Sequence, residues 1–228
     1  MTIICLIGPS GSGKTTLAEA LVPTGIDTIR SYTTRPMRPG EQDGREHIFI
    51  SEAEAHHLLT TRRPMAYTLF GGYRYFALWE PVIATVPEAS NRGLITYVID
   101  EAGYHDLLAK SIELQDELKN AYGIHIDHIT LLPIRIERSE EALAQTIDPD
   151  RLRRDAGREA YEGTIPYRII IHNDAPDAQS FTTWAQSQLA PALTTWIAYA
   201  PVTRGHNPTH LTTHMGIAEI IAALNGAI

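Results

Sequence analysis

The residues best suited to chemistry lie near the amino terminus, where residues 8–15 read Gly-Pro-Ser-Gly-Ser-Gly-Lys-Thr. They match the pattern G-x-x-x-x-G-K-[ST] at every fixed position. Glycines let such a loop curl so that its backbone N–H groups converge on phosphate oxygens, and the following helix adds the positive end of its dipole. Lys14 can then reach the outer phosphates of ATP, and the Thr15 hydroxyl can bind Mg²⁺. We therefore predict a loop that binds ATP and Mg²⁺.

A second anion site is indicated by Arg35 and Arg38 in residues 31–41, Ser-Tyr-Thr-Thr-Arg-Pro-Met-Arg-Pro-Gly-Glu. Two arginines three residues apart can converge on one phosphate, whose geometry matches their planar guanidinium groups. A solvated basic turn is the alternative interpretation. Since the second pKa of a phosphate monoester is about 6, such an acceptor is already an anionic nucleophile at neutral pH. Phosphoryl transfer between the two sites therefore requires no general base.

Hydrophobic periodicity predicts the elements that position these residues. Buried strands are expected at residues 3–7, 94–99, 129–136 and 167–171. Helices are expected at residues 14–21, 104–121, 140–161, 176–197 and 217–224. Strands that alternate with helices predict an α/β fold with a parallel sheet flanked by helices. Residues 31–79 instead predict short strands and hairpins around one helix at residues 52–60.

The predicted division of the chain into segments follows from this change in sequence pattern. Residues 1–30 and 80–198 form the core, with a helical lid at about residues 138–158. Residues 31–79 form an acceptor-binding insertion, and residues 199–228 form a carboxy-terminal extension.

These segments together resemble the guanylate kinase family of P-loop nucleoside monophosphate kinases. The similarity lies in residues 31–41 and 44–49 and extends from Ile3 to about Asn173. Three further segments are similar to family motifs: Gly72-Tyr73-Arg74-Tyr75, Asp100 to Gly103, and His172-Asn173-Asp174. The resemblance implies a P-loop NTPase core with a small β-rich acceptor insertion and a short helical lid. It also implies ATP-dependent transfer to GMP, dGMP or a related nucleotide.

Site residues follow from the motif and the resemblance together. The residues expected to bind ATP are Gly8, Ser10, Gly11, Ser12, Gly13, Lys14, Thr15, Thr16 and Asn173. The residues expected to bind the acceptor are Ser31, Arg35, Arg38, His47 and Tyr75. The catalytic cations are expected to be Lys14, Arg35, Arg38, Arg151 and Arg154.

Two of these assignments have plain structural alternatives. Asp100 ends an apolar strand, so it can hold Mg²⁺ together with Thr15, or it can cap the following helix. Arg151 and Arg154 lie in the expected lid, where one of them can contact the transferring phosphoryl group, or both can belong to a charged helix face.

Several positions depart from the family pattern. Ala66 stands where a glutamate usually reads the guanine edge, and Ala77 stands where a hydroxyl residue is usual. Phe76 replaces a glycine, His47 a phosphate-binding tyrosine and Val98 an aspartate. We therefore expect weak discrimination of the base, with Ser31, backbone groups or Tyr67 as the remaining contacts. Ribose 1,5-bisphosphate phosphokinase, which resembles residues 46–48, is the alternative enzyme, and a non-catalytic guanylate-kinase-like binding module is the alternative class.

Composition restricts the remaining possibilities. The formal charge of −8 over 228 residues disfavours nucleic acid as a partner. The single cysteine, Cys5, lies in a buried strand and predicts a reducing, cytoplasmic location. No membrane segment or secretory leader is expected, and the chain is expected to be a monomer or homodimer. The histidines at positions 206, 210 and 214 of the extension are more typical of a solvated loop than of a metal site, because Pro208 interrupts their spacing.

Overall fold

The structure is a computed structural model that describes residues 2–85, 93–122, 129–146, 163–167 and 169–199. Within these residues, the strands are β1 (Thr2–Ile7), β2 (Asp27–Ile29), β3 (Tyr32–Thr33), β4 (Ile48–Phe49), β5 (Pro64–Phe70), β6 (Tyr73–Leu78), β7 (Leu94–Val98), β8 (Thr130–Glu137) and β9 (Ile169–His172). The helices are α1 (Lys14–Leu21), α2 (Glu52–Thr61), α3 (Trp79–Thr85), α4 (Glu101–Tyr122), α5 (Glu140–Thr146), α6 (Ala178–Trp184) and α7 (Ala190–Tyr199). A 3₁₀ turn at Val22–Thr24 follows α1, and a π-helical turn at Ala185–Leu189 joins α6 to α7.

Strand β1 is the middle strand of a five-stranded parallel sheet with the order β2-β7-β1-β8-β9. Its residues alternate between two hydrophobic clusters. Ile4 and Leu6 pack with α1 and α6, whereas Ile3, Cys5 and Ile7 pack with residues of α4. Burial of both faces is the reason that this strand is apolar throughout, as expected for the centre of a parallel sheet.

A second sheet of four strands, with the order β4-β3-β6-β5, lies entirely within residues 31–79. Helix α2 closes one of its faces through a cluster that contains Ala55, Phe76 and Leu78. The start of α2 is fixed by a capping box, in which the Ser51 side chain accepts from the Glu54 N–H and the Glu54 carboxylate accepts from the Ser51 N–H.

The predicted α/β class, with a parallel sheet flanked by helices, is confirmed. The predicted helix at residues 104–121 begins earlier, at Glu101, because Asp100 caps it. The predicted helix at residues 176–197 begins at Ala178, where the Asp177 carboxylate accepts from the Ser180 N–H, and it contains the π-helical turn. Of the predicted helix at residues 140–161, only Glu140–Thr146 is described, so most of the lid and the whole 217–224 helix lie outside the described residues. Strand β2 and helix α3 are additional elements that the periodicity did not predict.

Among the described helices, none combines the length and the apolar character needed to cross a bilayer.

Burial of β1 predicts a large stability difference between two chemically identical substitutions. Ile4 is fully buried, whereas Ile170 in the edge strand β9 is 43% exposed. We expect Ile4→Ala to lower the free energy of unfolding by about 2–5 kcal/mol, since a cavity remains in the sheet centre. Ile170→Ala, the matched control, should lower it by less than about 1 kcal/mol. Urea denaturation of both variants measures the difference, and equal losses would contradict the assigned packing.

Candidate active site

The glycine loop between β1 and α1 lies against the ends of strands β8 and β9. Gly8 and Gly13 have φ angles of 151° and 103°, which residues other than glycine rarely adopt. A Cβ atom at Gly8 would overlap the Ile136 carbonyl oxygen, and one at Gly13 would lie 2.5 Å from the Asn173 Nδ2 atom. These glycines are therefore required both by the backbone conformation and by the space available.

Asn173 fixes the position of the glycine loop by hydrogen bonding. Its Nδ2 donates to the Ser12 carbonyl oxygen over 2.8 Å, and its backbone N–H donates to the Glu137 carbonyl oxygen over 2.8 Å. Asn173 is only 5% exposed, so this hydrogen bond is shielded from water. The family resemblance assigned Asn173 to ATP binding, and the structure adds a contact to the loop that no sequence signal indicated.

Lys14 lies over the loop with its ammonium group close to two carbonyl oxygens. Its Nζ donates to Gly8 over 2.8 Å and to Pro9 over 2.6 Å. The ammonium group is therefore held at the rim of the loop, where phosphate oxygens that bind the backbone N–H groups can replace these carbonyls as its partners.

A cleft of about 340 Å³ connects this loop with the insertion. From the predicted site it is lined by Ser10, Gly11, Gly13, Lys14, Thr15, Thr16, Arg35, Arg38, His47, Tyr75 and Asn173. The structure thus brings the predicted donor and acceptor residues to one cavity. Gly8, Ser12, Ser31 and Asp100 are not among its lining residues, and Arg151 and Arg154 lie outside the described residues.

Arg35 is held by Glu41, a residue of the same motif to which the sequence assigned no separate role. The two terminal nitrogens of Arg35 donate to the two Glu41 carboxylate oxygens over 2.6 and 2.7 Å, which is the bidentate geometry of a strong ion pair. Glu41 also accepts from the Arg38 backbone N–H over 2.7 Å. Burial acts to raise the pKa of Glu41, but the hydrogen bonds from Arg35 and from the Arg38 backbone outweigh it and hold that pKa below its usual range. Glu41 is therefore ionised at neutral pH.

His47 lies between aromatic and charged neighbours in the cleft. Its ring centroid is 5.7 Å from that of Tyr75 and 5.9 Å from that of Phe49. Its Nδ1 atom is buried without a hydrogen-bond partner among the described residues. Burial, followed by the positive charge of Arg35, lowers the pKa of His47 to about 4, so the ring is neutral at pH 7.

The positions expected to read a base are closed. Ala66 and Ala77 face each other across β5 and β6 and are 2% and 1% exposed. Ser31 is also buried, and its hydroxyl donates to the Tyr97 hydroxyl over 3.4 Å. The side chains at these three positions therefore present no polar atom without a partner to the cleft.

Asp100 serves as the amino-terminal cap of α4. Its Oδ1 accepts from the Gly103 N–H over 2.7 Å and from the Thr68 hydroxyl over 3.0 Å. The capping interpretation is therefore confirmed, while the metal-binding role remains a prediction.

The cleft is nevertheless suited to Mg²⁺. Thr15 lines it beside Lys14 and the loop, so its hydroxyl is placed to be one ligand of such an ion. A Mg²⁺ ion at this position would take most of its other ligands from substrate phosphates and water.

Three contacts near the cleft were missed at the sequence level. Arg138 lines the cleft directly after β8, and its Nη1 donates weakly to the Gly11 carbonyl oxygen over 3.5 Å. Arg45 forms a bidentate bridge to Glu19 of α1, with Nε to Oε1 and Nη2 to Oε2 both at 3.0 Å, and so ties the insertion to the core. Phe181 also lines the cleft. Only Arg138 carried a usable signal, since it follows a predicted parallel strand at the edge where ligands bind.

Comparison with known proteins agrees with this geometry. Residues 1–97 match the family model described as guanylate kinase. The guanylate kinase of Thermobifida fusca is 40% identical over 80 residues, which are 34% of this chain and 41% of the relative. That of Bradyrhizobium diazoefficiens is 32% identical over 108 residues, 46% of this chain and 48% of the relative. The chain thus spans less than half the length of these curated relatives.

A structural comparison extends further along the chain. The crystal structure of guanylate kinase from Anaplasma phagocytophilum matches with a TM-score of 0.52 and 20% sequence identity, covering 83% of this chain and 85% of that one. At this identity the match supports the P-loop NTPase fold. The resemblance to the guanylate kinase family is therefore confirmed, by sequence over residues 1–97 and by fold over most of the chain.

Proposed function

We propose that this chain transfers the terminal phosphoryl group of ATP to the phosphate of a nucleoside monophosphate, giving the nucleoside diphosphate. One observation carries the proposal: Lys14 and Thr15 of the glycine loop line the same cleft as Arg35 and Arg38 of the insertion. Two phosphate-binding sites that share one cavity can hold a donor and an acceptor in contact. The similarity of residues 1–97 to guanylate kinases supports the same reaction.

On the donor side, the loop N–H groups and Lys14 bind and orient the ATP phosphates. Thr15, and Asp100 through a bridging water, would hold a Mg²⁺ ion, which would supply charge compensation at the phosphate oxygens. Asn173 keeps the loop in shape through its hydrogen bond to Ser12. Arg151 and Arg154 remain our proposed contacts to the transferring phosphoryl group.

On the acceptor side, Arg38 and Tyr75 bind the acceptor phosphate, together with His47. Arg35 contributes positive charge from a fixed position, because Glu41 occupies its terminal nitrogens. The acceptor phosphate is largely a dianion at neutral pH and attacks without a general base. The site therefore acts by positioning two anions in line and compensating their charge.

Which base the acceptor carries is a separate question. A site that hydrogen-bonds one base edge rejects other bases because its buried polar groups are left unpaired. Ala66 and Ala77 offer no such groups, and Ser31 already donates to Tyr97. We propose that GMP, dGMP or a related nucleotide is accepted with weak discrimination of the base.

The same closed positions favour a second candidate, ribose 1,5-bisphosphate phosphokinase, whose acceptor has no base to read. A non-catalytic binding module is less well supported, because the glycine loop and Lys14 are intact. Turnover of ATP separates this module from both enzymes.

The division of labour along the chain is part of the proposal. Residues 1–30 and 80–198 form the donor core, and residues 31–79 carry the acceptor site. Residues 199–228 form an extension to which we assign no role. The partners we propose are small molecules, namely the nucleotide acceptor and ATP with Mg²⁺.

Lys14→Ala should lower kcat by ~10² or more without unfolding the protein, because Lys14 neutralises charge that moves during transfer. Lys110→Ala is the matched control: this lysine pairs with Asp106 on α4 and does not line the cleft. Coupled-assay kinetics and circular dichroism measure both effects. Turnover by Lys14→Ala close to that of the wild type would show that the kinase assignment is wrong.

Removing an acceptor arginine should raise the KM for the acceptor and leave the KM for ATP nearly unchanged. For Arg38→Ala we expect at least a tenfold increase, since a hydrogen bond to a charged group contributes about 1.5–3 kcal/mol. Arg35→Ala alone would leave Glu41 buried without its partner, so the double variant Arg35→Ala/Glu41→Ala is the cleaner test; because it leaves the net charge of the site unchanged, it should raise the acceptor KM less than Arg38→Ala does. Arg62→Ala on the exposed end of α2 is the control. An unchanged acceptor KM in both variants would mean that the acceptor binds elsewhere.

A substrate panel tests the expected weak discrimination. It contains GMP, dGMP, AMP, CMP, UMP, dTMP and ribose 1,5-bisphosphate, each with ATP and Mg²⁺, and product formation is measured. One hydroxyl contact of about 0.5–1.5 kcal/mol allows roughly tenfold selectivity between bases. A preference for GMP over AMP above about a thousandfold would contradict this expectation and indicate a base contact made by other groups. Turnover of ribose 1,5-bisphosphate alone would favour the second candidate.

A further inference from the structure

The acceptor end of the cleft holds an unusual balance of charge. Arg35 and Arg38 contribute two positive charges, and Glu41, ionised and bound to Arg35, removes one of them. His47, which also lines this end, adds no charge at pH 7 because its pKa lies well below its usual range. The site as it stands therefore carries one net positive charge, whereas the phosphate it is proposed to bind carries nearly two negative charges.

The donors at this end are also partly committed. Both terminal nitrogens of Arg35 donate to Glu41, and one of them also donates to the Pro36 carbonyl oxygen over 2.9 Å. Across the cleft, the described charged residues are Lys14, Arg138 and Asp177, which lie on the donor side. A phosphate at the acceptor end thus lacks one positive charge for full compensation among the described residues.

Among the described residues at this end of the cleft, His47 can supply this charge by taking up a proton. It lines the cleft among these residues, and its ring packs between Tyr75 and Phe49. Its Nδ1 atom is buried with no hydrogen-bond partner among the described residues. Protonation would make both ring nitrogens donors.

We propose that His47 takes up a proton when the acceptor phosphate binds and then acts as the third cation of the acceptor site. The inference rests on the proposed function, because it requires a phosphate beside Arg38 and Tyr75. The proton comes from solvent, no covalent bond changes, and the proton returns to solvent when the product leaves.

Electrostatics gives the direction of this linkage. Burial and Arg35 hold the pKa of His47 at about 4 without a ligand, while Glu41 and the Ser31 backbone oppose them more weakly. A dianion in contact with the ring reverses the sign of the local charge, and shifts of 3–5 pH units occur for buried groups. Because the pKa is raised in the complex, tight binding is present below the raised pKa and is lost as pH rises through it.

Proton uptake on binding is measured directly by calorimetry of the full chain in two buffers of different ionisation heat. GMP and ribose 5-phosphate are the probes, at pH 7.0. The phosphate itself can only release protons in a cationic site, since about a tenth of it is monoprotonated there at the outset. We expect uptake of about half a proton or more per ligand for the wild type.

His47→Gln keeps the polarity of the side chain and His47→Phe keeps its aromatic packing, and both should abolish the uptake. Each should also weaken binding at pH 7.0, by about twofold if the wild type takes up half a proton and by about tenfold if it takes up about nine-tenths of one, with the difference from the wild type shrinking by pH 8.5. His172→Gln, which changes a 63% exposed histidine on β9, is the control and should behave as the wild type.

The outcomes separate the two proposals. Binding without proton uptake, or equal uptake by the wild type and both His47 variants, overturns the role of His47 and leaves the acceptor site in place. Failure of both probes to bind, or binding that is unaffected by Arg38→Ala, overturns the proposed acceptor site and this inference with it.

Discussion

The close approach of the glycine loop to the ends of β8 and β9 is the constraint on which the rest of the site depends. Gly8 lies under the Ile136 carbonyl and Gly13 against Asn173, so the loop fits only without side chains at these positions. Asn173 then fixes the position of the loop through its hydrogen bond to the Ser12 carbonyl oxygen. Because β1, β8 and β9 are adjacent parallel strands, the order of the central sheet sets the position of Lys14 and the direction of α1.

Charge on the acceptor side is compensated before any ligand arrives. A buried arginine without a partner is costly, and Glu41 removes that cost for Arg35 by a bidentate ion pair. The same pairing lowers the attraction of the site for an anion. One arginine held by an ion pair, with a titratable side chain beside it, can therefore be preferable to two unpaired arginines. The positive charges in the cleft then repel one another less when no ligand is bound.

Much of the fold was predictable, because buried parallel strands and amphipathic helices leave strong periodic signals. Strand β1, helix α1 and strand β7 agree with the sequence prediction to within about a residue at each end. The short strand β2, with three residues, has no periodic signal of useful length. Residues of the site were predicted where a motif fixed their spacing, as for Lys14 and Arg38. Arg45 with Glu19, and Asn173 with Ser12, join distant parts of the chain, so no local pattern could pair them.

Two features lead to the same conclusion about how an acceptor would be recognised. The positions expected to face a base are buried, and the charge of the arginine pair proposed to bind phosphate is partly compensated by Glu41. Phosphate binding uses charge, which acts over several ångströms and tolerates small displacements of the ligand. Base reading uses hydrogen bonds, which weaken steeply with misalignment and need polar atoms at fixed points. In this chain the proposed phosphate contacts, Arg38 and Tyr75, line the cleft. The positions proposed to meet a base hold the buried pair Ala66 and Ala77 and a Ser31 hydroxyl that is hydrogen-bonded to Tyr97. Affinity for the acceptor should therefore reside in its phosphate, and selection among acceptors should depend on shape more than on the pattern of donors and acceptors on a base.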